Sequence, residues 1–554
     1  MIEILKRKNS RIQFFICSIL SGLLLGFGWP TDGNPIYLFI AFVPLLYVEV
    51  NSNLSLSYIF LFSFITFSIW NSIATWWLSY ARRSDGSFAL EAYLIPVFFN
   101  SFFMSIIFTF YSYLKRYTRS KNIGYTLLIC LWILFEKLHL EWELSWPWLN
   151  LGNGFSNRIE WIQWYEYTGT LGGTIWIWIV NIGFTESILK YKKNKNILVL
   201  YNGLLFNIGK IFFLIFISNL IYMKYEGKDY NKHIEILILQ PNIDPYYRKY
   251  NISTKNVILN LKNLINKKIS KNPVIIIAPE TTFPGNGNKI PINNINKNHI
   301  ISFFRNYLKK KYPKTIFITG AELFISYNKN NRSETSIPII FKNSSKIQWI
   351  DIFNSIIQIS PSKKIEFHHK SKLVPGVETF PYKKIFFPIL GNILLNFGGT
   401  TLELGKQKIP NIFIHPYSGV KIAPIICYES VYGEYVSSFL KKNAQLIVII
   451  TNDGWWSNSQ GHKQHLYYAR LRAIENRKFL ARSANTGVSC FIDEKGEFLS
   501  SLPYGKRGFL YKRIPINNKI TFYIKHGDYI FNISLFFTIV ILLYIIIIIR
   551  NNKN

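Results

Sequence analysis

Hydrophobic residues follow two different patterns along the chain, and the change between them falls near residue 224. Before that point, apolar runs long enough to cross a bilayer as helices follow one another. The predicted spans are 12–29, 36–50, 56–79, 89–113, 123–138, 171–189 and 203–223, with another at 529–549. Residues 1–223 are therefore expected to form a multi-span transmembrane domain of about seven helices. Residues 529–554 are expected to form a C-terminal transmembrane helix with a short cytoplasmic tail.

Residues 224–528 have a shorter hydrophobic period. Their apolar runs are brief and rich in β-branched residues, as in buried strands, at 234–239, 274–277, 315–318, 420–426 and 446–450. Helical patterns alternate with them at 253–268, 297–311, 430–442 and 462–482. This alternation predicts one α/β domain whose sheet is covered by helices on both faces.

Basic residues in the loops orient the predicted spans. Lys and Arg concentrate before the first span, between the fourth and fifth, and between the sixth and seventh, whereas the loop at 30–35 has none. Because short cytoplasmic loops carry the excess of Lys and Arg, the N-terminus is expected in the cytoplasm. Seven crossings then deliver residues 224–528 to the outer side, and the last span returns the chain.

The formal net charge of +34 first suggests a nucleic-acid partner, because it comes from 64 basic and 30 acidic residues. Most of the lysines, however, lie scattered rather than in a stripe. The chain is also crowded with Ile, Asn, Lys, Phe and Tyr, which AT-rich codons encode. Codon bias therefore explains most of the charge, and no nucleic-acid partner is expected.

The cysteines exclude a disulfide scaffold. Cys17 and Cys130 lie in apolar runs, and the other two are Cys427 and Cys490. The sequence contains no CxxC motif and no Cys/His cluster with metal-ligand spacing. We expect no metal and no cofactor, and at least one thiol is free for chemistry.

Three strand-like runs end in a residue that can do chemistry: Glu280, Lys370 and Cys427. Taken singly they could be a helix cap, a surface charge and a core cysteine. Together they supply a general base, an electrostatic stabiliser and a nucleophile. The turn after the strand also places Cys427 near backbone N–H donors and a helix N-terminus, and both lower the pKa of a thiol.

The contexts of these residues resemble the nitrilase, or carbon–nitrogen hydrolase, superfamily. The matching motifs are Pro279-Glu280-Thr281, His369-Lys370-Ser371-Lys372-Leu373-Val374-Pro375 and Ile426-Cys427-Tyr428-Glu429. The multi-span N-terminus, the terminal span and several later motifs narrow the resemblance to the apolipoprotein N-acyltransferase family. Those motifs are Thr451-Asn452-Asp453-Gly454-Trp455, Gln464-His465 and Arg482-Ser483-Ala484-Asn485-Thr486-Gly487.

This resemblance implies a role for each matching residue. Glu280 becomes the general base, Lys370 the stabiliser of the oxyanion, and Cys427 the nucleophile that is acylated. The supporting residues carried over from the family motifs are Glu378, Tyr428, Glu429, Asn452 and Trp455. An aromatic lid residue is also implied, and Tyr246, Tyr247 and Tyr250 compete for that place.

The resemblance further implies a bacterial inner-membrane enzyme whose periplasmic catalytic domain is an αββα sandwich. Such enzymes take an acyl chain from a phospholipid, usually phosphatidylethanolamine. By a ping-pong thioester mechanism they pass it to the α-amino group of a lipoprotein's N-terminal diacylglyceryl-cysteine. We expect a monomer that requires no cofactor.

Two other interpretations remain open. The first is a different membrane-bound nitrilase-type enzyme, either an amidase or an N-acyltransferase with another amine acceptor, because the triad alone does not identify the acceptor. The second is a non-catalytic membrane scaffold that keeps an inactive domain. The presence of Glu280, Lys370 and Cys427 together argues against the scaffold.

The orientation is testable with a reporter fused after residue 228. The distribution of Lys and Arg predicts that an alkaline phosphatase fusion there is active, because that enzyme matures outside the cytoplasm, and that a green fluorescent protein fusion stays dark. Whole-cell phosphatase activity and fluorescence measure the two fusions. A fluorescent, phosphatase-negative pair would mean that the number of spans before residue 224 is even.

Overall fold

The computed structural model describes residues 2–51, 54–83, 86–246, 251–266, 273–285, 287–340, 347–385, 388 and 403–552. The chain divides into two compact units. The first comprises residues 1–79, 90–226 and 526–554, and the second comprises 80–89 and 227–525. The short segment 80–89 therefore groups with the second unit, although it lies between predicted spans in the sequence.

The first unit is helical. In chain order its helices are α1 (Ile2–Phe27), α2 (Val43–Asn51), α3 (Leu56–Ala74), α4 (Glu91–Lys115), α5 (Lys121–Glu141), α6 (Tyr165–Thr168), α7 (Thr170–Asn194), α8 (Ile197–Lys224) and, from the end of the chain, α14 (Tyr529–Asn551). Within the described ranges, α3, α4, α5, α8 and α14 are the five helices long and apolar enough to cross a membrane.

Three of the predicted spans differ from this set. The span at 36–50 is not one helix: a 3-10 turn at Pro35–Phe39 precedes α2, and Pro44 lies in the first turn of the restarted helix. The apolar part of α1 covers only Arg11–Phe27. Helix α7 is long enough, but polar residues along it, among them Asn181, reduce its hydropathy below that of the other spans.

The second unit contains two mixed β-sheets flanked by helices. Its strands are β1 (Lys232–Gln240), β2 (Val274–Ile277), β3 (Ile290–Pro291), β4 (Ile316–Tyr327), β5 (Ile337–Ile340), β6 (Ile347–Ile359), β7 (Glu366–His369), β8 (Phe413–Ile414), β9 (Lys421–Ile426), β10 (Leu446–Thr451), β11 (Leu480–Ala484), β12 (Ser489–Ile492), β13 (Phe498–Leu502) and β14 (Gly508–Ile516). Its helices are α9 (Thr254–Ile265), α10 (His299–Lys311), α11 (Gly433–Lys441), α12 (Gln460–Asn476) and α13 (Phe522–His526).

The strands that precede Glu280 and Cys427 have parallel neighbours in their sheets. In the first sheet the order is β14-β1-β2-β4-β6-β5, with β3 beside β4 and β7 beside β6, and β1, β2 and β4 are parallel. In the second sheet the order is β13-β12-β11-β10-β9-β8, and β9, β10 and β11 are parallel. Strands β2, β9 and β10 are therefore central in their sheets, as their uninterrupted apolar runs predict.

The two sheets pack face to face, and each is covered by helices on its other face. Alternate residues of β1 and β2, such as Ile236 and Ile275, share one core with Ile422 and Val448 of the second sheet. The intervening residues of β1 and β2 pack in a separate core with α9 and α10. The opposite face of β9 and β10 packs with α11 and α12. Successive residues of each strand point to opposite faces of its sheet, so each sheet packs against the other sheet on one face and against helices on the other. The result is an αββα sandwich, and the predicted fold class is confirmed.

One predicted helix extends too far. The pattern at 462–482 predicts a helix throughout, but α12 ends at Asn476 and β11 begins at Leu480. Arg477 ends the helix in the left-handed conformation, with a φ of 50°, at a position that glycine usually occupies. No glycine marks this end in the sequence, and the helical pattern continues into the next strand.

Gly320 in β4 allows a close backbone approach behind Glu280. A Cβ atom at this glycine would lie 2.3 Å from the backbone nitrogen of Thr281 and 2.6 Å from the Cα atom of Glu280. The amide of Gly320 also donates to the carbonyl of Pro279 at 3.0 Å. Because Gly320 has no side chain, the backbone at Glu280 and Thr281 can pass close to β4 as the chain leaves β2.

We predict that Gly320→Ala destabilises the protein by about 1–3 kcal/mol, because the added methyl group displaces the backbone that carries Glu280. The apparent melting temperature in detergent measures the change, and catalytic turnover should fall with it. Gly209→Ala in α8 is the matched control, since its added Cβ meets no other described part of the chain within 4 Å beyond its own helix. Equal melting temperatures and turnover for the two variants would contradict the prediction.

Candidate active site

The sheet edge where β2 ends brings together residues that are far apart in sequence. Glu280 follows β2 by three residues, and Lys370 directly follows β7. Asn354 on β6 connects them: its backbone carbonyl accepts from the Lys370 amide at 2.8 Å, and its Nδ2 donates to Glu280 Oε1 at 2.7 Å. The register of β6 with β7 thus sets the position of Lys370 relative to Glu280.

Two carboxylates surround the Lys370 ammonium. Its Nζ lies 3.3 Å from Glu280 Oε1 and 2.9 Å from Glu378 Oε1. Glu378 is fixed in turn by the Asn354 amide, 3.1 Å away, and by the Val374 backbone N–H, which donates to Oε2 at 2.9 Å. Only 1% of the lysine side chain is exposed, so it is buried as one member of a charge cluster.

These charges determine the protonation of Lys370. Burial alone lowers the pKa of the ammonium, but the carboxylates of Glu378 and Glu280 outweigh burial and raise that pKa above its usual range. The side chain therefore stays charged throughout the physiological range. A permanent cation in this position suits the stabilisation of a developing oxyanion.

Cys427 directly follows β9 and begins a 3-10 turn at Cys427–Val431. It is half-buried and adopts the left-handed conformation, with a φ of 48°. Burial and the charge of Glu280 raise the pKa of its thiol, while Lys370 lowers it, and the net direction is upward. The net shift is therefore opposite in direction to the lowered pKa that the turn predicts. The thiol rests protonated and needs a base, and Glu280 is the carboxylate whose charge acts most strongly on it.

Glu429 connects the loop that carries Lys370 to the loop that carries Cys427. Its Oε1 accepts from the backbone N–H of Ser371 at 2.6 Å and from the Tyr435 hydroxyl at 2.9 Å. Its Oε2 accepts from the backbone N–H of Ile426 at 2.9 Å. This fully buried carboxylate thus joins the residue after the lysine to the residue before the cysteine.

The remaining predicted residues lie on the turn that begins at Cys427 and on the loop after β10. Tyr428 is buried, with its ring centroid 5.3 Å from that of Tyr432. Asn452 is buried after β10, and its Oδ1 accepts from Asn485 at 3.2 Å. Trp455 is half-buried on the same loop.

One candidate lid residue lies in the described part of the chain. Tyr246 stands edge-on to Trp455, with ring centroids 5.2 Å apart, and its hydroxyl donates to the Trp455 carbonyl at 2.5 Å. The same hydroxyl accepts from the Arg82 backbone N–H at 3.3 Å, which joins it to segment 80–89. Tyr247 and Tyr250 lie outside the described residues.

Sequence patterns missed several of these contacts. Asn354 has no motif, because its role comes from strand register. Asp453 and His465 were visible only as parts of longer motifs, yet both lie behind Cys427. A sulfur atom of Cys427, an Asp453 oxygen and a His465 nitrogen lie within 4.8 Å of one another, but Arg482 donates to Asp453 at 2.6 Å. Arg482 also lies 3.2 Å from His465 Nδ1, and Thr451 donates to Asp453 Oδ1, so we assign the group to hydrogen bonding.

The chain is similar to known proteins along most of its length. Residues 238–519 match the family described as carbon-nitrogen hydrolase, and residues 21–183 match the apolipoprotein N-acyltransferase N-terminal domain. The apolipoprotein N-acyltransferase of Chlorobaculum tepidum is 26% identical over 535 residues, covering 94% of each chain. That of Haemophilus influenzae is 25% identical over 543 residues, covering 94% of this chain and 93% of the relative. A CN-hydrolase superfamily structure from Xanthomonas campestris is 15% identical, covers 55% of this chain and 97% of its own, and gives a TM-score of 0.34.

The chain belongs to the carbon–nitrogen hydrolase family, because that family's region covers half of its length. The resemblance to apolipoprotein N-acyltransferases is confirmed over nearly the full chain, and the predicted acyltransferase activity is confirmed with it. Together with the five apolar helices in the described ranges, this makes the chain a membrane protein.

The pKa of the Cys427 thiol provides a test of the cluster. Lys370→Met should move the pH dependence of Cys427 alkylation by iodoacetamide upward by roughly one to three pH units, because a cation that lowers the pKa is lost. Glu280→Gln should move it downward, because an anion that raises the pKa is lost. Peptide mass spectrometry follows Cys427 separately from the other cysteines.

Lys372→Met is the matched control, because it also removes a lysine near the site. The ammonium of Lys372 lies over the Tyr432 ring, 4.9 Å from the ring centroid. Shifts in the same direction for Lys370→Met and Glu280→Gln would contradict the charge arrangement described above.

Proposed function

We propose that this protein transfers an acyl chain from a phospholipid to the α-amino group of the diacylglyceryl-cysteine at the N-terminus of lipoproteins. The buried Glu280–Lys370–Glu378 cluster beside the strand-end thiol of Cys427 supports this proposal most directly. The curated relatives carry the name apolipoprotein N-acyltransferase over the same length of chain. Phosphatidylethanolamine is the proposed donor.

The first half-reaction forms a thioester. Glu280 accepts the thiol proton, and the Cys427 thiolate attacks the ester carbonyl of the phospholipid. The Lys370 ammonium stabilises the oxyanion of the tetrahedral intermediate. As this collapses, the ester C–O bond breaks and Glu280 returns its proton to the leaving alkoxide. The products are acyl-Cys427 and a lysophospholipid.

The second half-reaction transfers the acyl chain to nitrogen. The neutral α-amino group of the diacylglyceryl-cysteine attacks the thioester carbonyl, and Glu280 accepts the proton that this nitrogen releases. Lys370 again stabilises the oxyanion. The C–S bond breaks, an amide forms, and the proton on Glu280 returns to the Cys427 thiolate. The two half-reactions form a ping-pong cycle without a cofactor.

The supporting residues act by position in this scheme. Glu378 holds Lys370 in place and charged, and Glu429 fixes the two loops that carry Lys370 and Cys427. Asn452 and Trp455 lie on the loop after β10, whose last residue, Thr451, contacts the Cys427 thiol, and Tyr428 packs against Tyr432.

The proposed cellular arrangement follows from the distribution of basic residues. Residues 1–223 and 529–554 would be embedded in the bacterial inner membrane, and residues 224–528 would form the periplasmic catalytic domain. A monomer of this design meets both lipid substrates on the outer face of the membrane. Five apolar helices in the described ranges support the membrane location.

An acyl-enzyme assay tests the proposal. Purified protein incubated with acyl-labelled phosphatidylethanolamine and then denatured should retain the label in a hydroxylamine-labile bond. Cys427→Ala should retain none. Cys17→Ala, which removes a half-buried cysteine from α1, is the matched control and should label like the wild type. Absence of a labile adduct with any phospholipid in the wild type would refute the acyltransferase proposal.

A further inference from the structure

Three further side chains are linked to Cys427 by hydrogen bonds, and we call them the Thr451–Asp453–His465 relay. Thr451 is the last residue of β10, Asp453 lies two residues later, and His465 projects from α12. All three are buried, with at most 1% of each residue exposed. The relay contacts both the thiol and the backbone of the nucleophile.

Thr451 contacts the thiol of Cys427. Its Oγ1 lies 3.3 Å from Cys427 Sγ and 2.6 Å from Asp453 Oδ1. A hydroxyl has one proton, so it can donate to only one of these at a time. The shorter distance and the negative charge favour Asp453 while the thiol is protonated. Thr451 then offers the sulfur a lone pair, to which the S–H can donate.

His465 contacts the backbone of Cys427. Its Nε2 lies 3.0 Å from the carbonyl oxygen of Cys427 and 2.9 Å from the hydroxyl of Ser430, which itself donates to that carbonyl at 2.7 Å. Cys427 has a φ of 48°, a conformation that costs energy for a residue with a Cβ. Partners on its carbonyl therefore hold the nucleophile in a backbone state that it would otherwise leave.

Asp453 organises both contacts through one oxygen. Its Oδ1 accepts from Thr451 Oγ1 and lies 3.0 Å from His465 Nδ1, while its Oδ2 accepts from Arg482 Nη2 at 2.6 Å. Burial raises the pKa of this carboxyl, but Arg482 and His465 outweigh burial and hold the pKa well below its usual range. Asp453 is therefore an anion that accepts hydrogen bonds, and it is too weak a base to remove the thiol proton.

We propose that Thr451, Asp453 and His465 are positioning residues for Cys427, and that the Thr451 hydroxyl turns from Asp453 to the sulfur once the thiol has lost its proton. The turn supplies the thiolate with a hydrogen bond that the resting thiol does not receive. His465 holds the backbone of Cys427 in its left-handed conformation during the cycle. This inference rests on the proposed role of Cys427 as the nucleophile.

The switch predicts a pH signature. The charged groups that act on the thiol are Glu280 after β2, Lys370 after β7 and Asp453 after β10, and all three remain in a Thr451 variant. Loss of the hydroxyl alone should therefore disfavour the thiolate, whereas a purely structural threonine would leave the pH profile in place. Thr451→Val keeps the shape of the side chain and removes the hydroxyl.

We expect Thr451→Val to move the pH profile of Cys427 alkylation upward by about one pH unit, the value of one hydrogen bond to a charged group. Thr451→Ser, which keeps the hydroxyl, should restore the wild-type profile. Equal profiles for Thr451→Val and Thr451→Ser would overturn the switch. Alkylation requires no lipid substrate, so this result is independent of whether the proposed acyl transfer occurs.

The role of His465 is tested by a matched pair on α12. His465→Gln should lower kcat for acyl transfer by at least about tenfold while KM stays within about twofold, because the substrate contacts are unchanged. His462→Gln is the control: His462 is equally buried one turn away, and its Nε2 pairs with Asn458 at 2.9 Å. Equal kcat values for the two variants would overturn the positioning role, provided that the wild type is active.

Discussion

The buried ammonium of Lys370 is the constraint on which the rest of the site depends. Moving such a charge out of water costs on the order of several kcal/mol, and removing one partner of a buried pair leaves that cost uncompensated. Here the cost is offset by two carboxylates at 3.3 and 2.9 Å, both of which also accept from the same asparagine amide. The cluster is therefore stable only as a complete unit.

That requirement explains why the surrounding backbone is so closely specified. Glu280 must leave β2 against a strand that has no side chain at Gly320, and Lys370 must leave β7 in register with Asn354. Glu429 then fixes the distance between the lysine loop and the cysteine loop through three backbone and side-chain donors. The αββα sandwich brings the ends of strands from both sheets to one place, which neither sheet achieves alone.

Two sets of charges act on the thiol of Cys427. Glu280 and Lys370 carry opposite charges that shift the pKa of the thiol in opposite directions. Asp453 is paired with Arg482 and accepts hydrogen bonds, and its charge also raises the pKa of the thiol. A thiol held protonated at rest avoids side reactions, and it becomes a nucleophile only when a base and a cation act on it together.

Sequence patterns predicted the parts of this structure that depend on local period. Strand β2 at Val274–Ile277 matches its prediction, because an uninterrupted β-branched run has few alternatives. The helical period does not show where α12 ends, because Arg477 takes a left-handed conformation without a glycine. The predicted span at 36–50 is not one helix, because the chain restarts its helix near Pro44. Asn354 lay beyond prediction, since strand pairing places it and no motif contains it.

The proposed cycle requires that acyl-Cys427 pass its acyl chain to an amine. The most direct test isolates the labelled acyl-enzyme and mixes it, in separate samples, with buffer and with a synthetic diacylglyceryl-cysteine peptide. We expect the peptide to accelerate loss of label from the enzyme and the label to appear on the peptide in a hydroxylamine-stable amide. Release as free fatty acid at the same rate in both samples would contradict it and would identify the protein as a hydrolase.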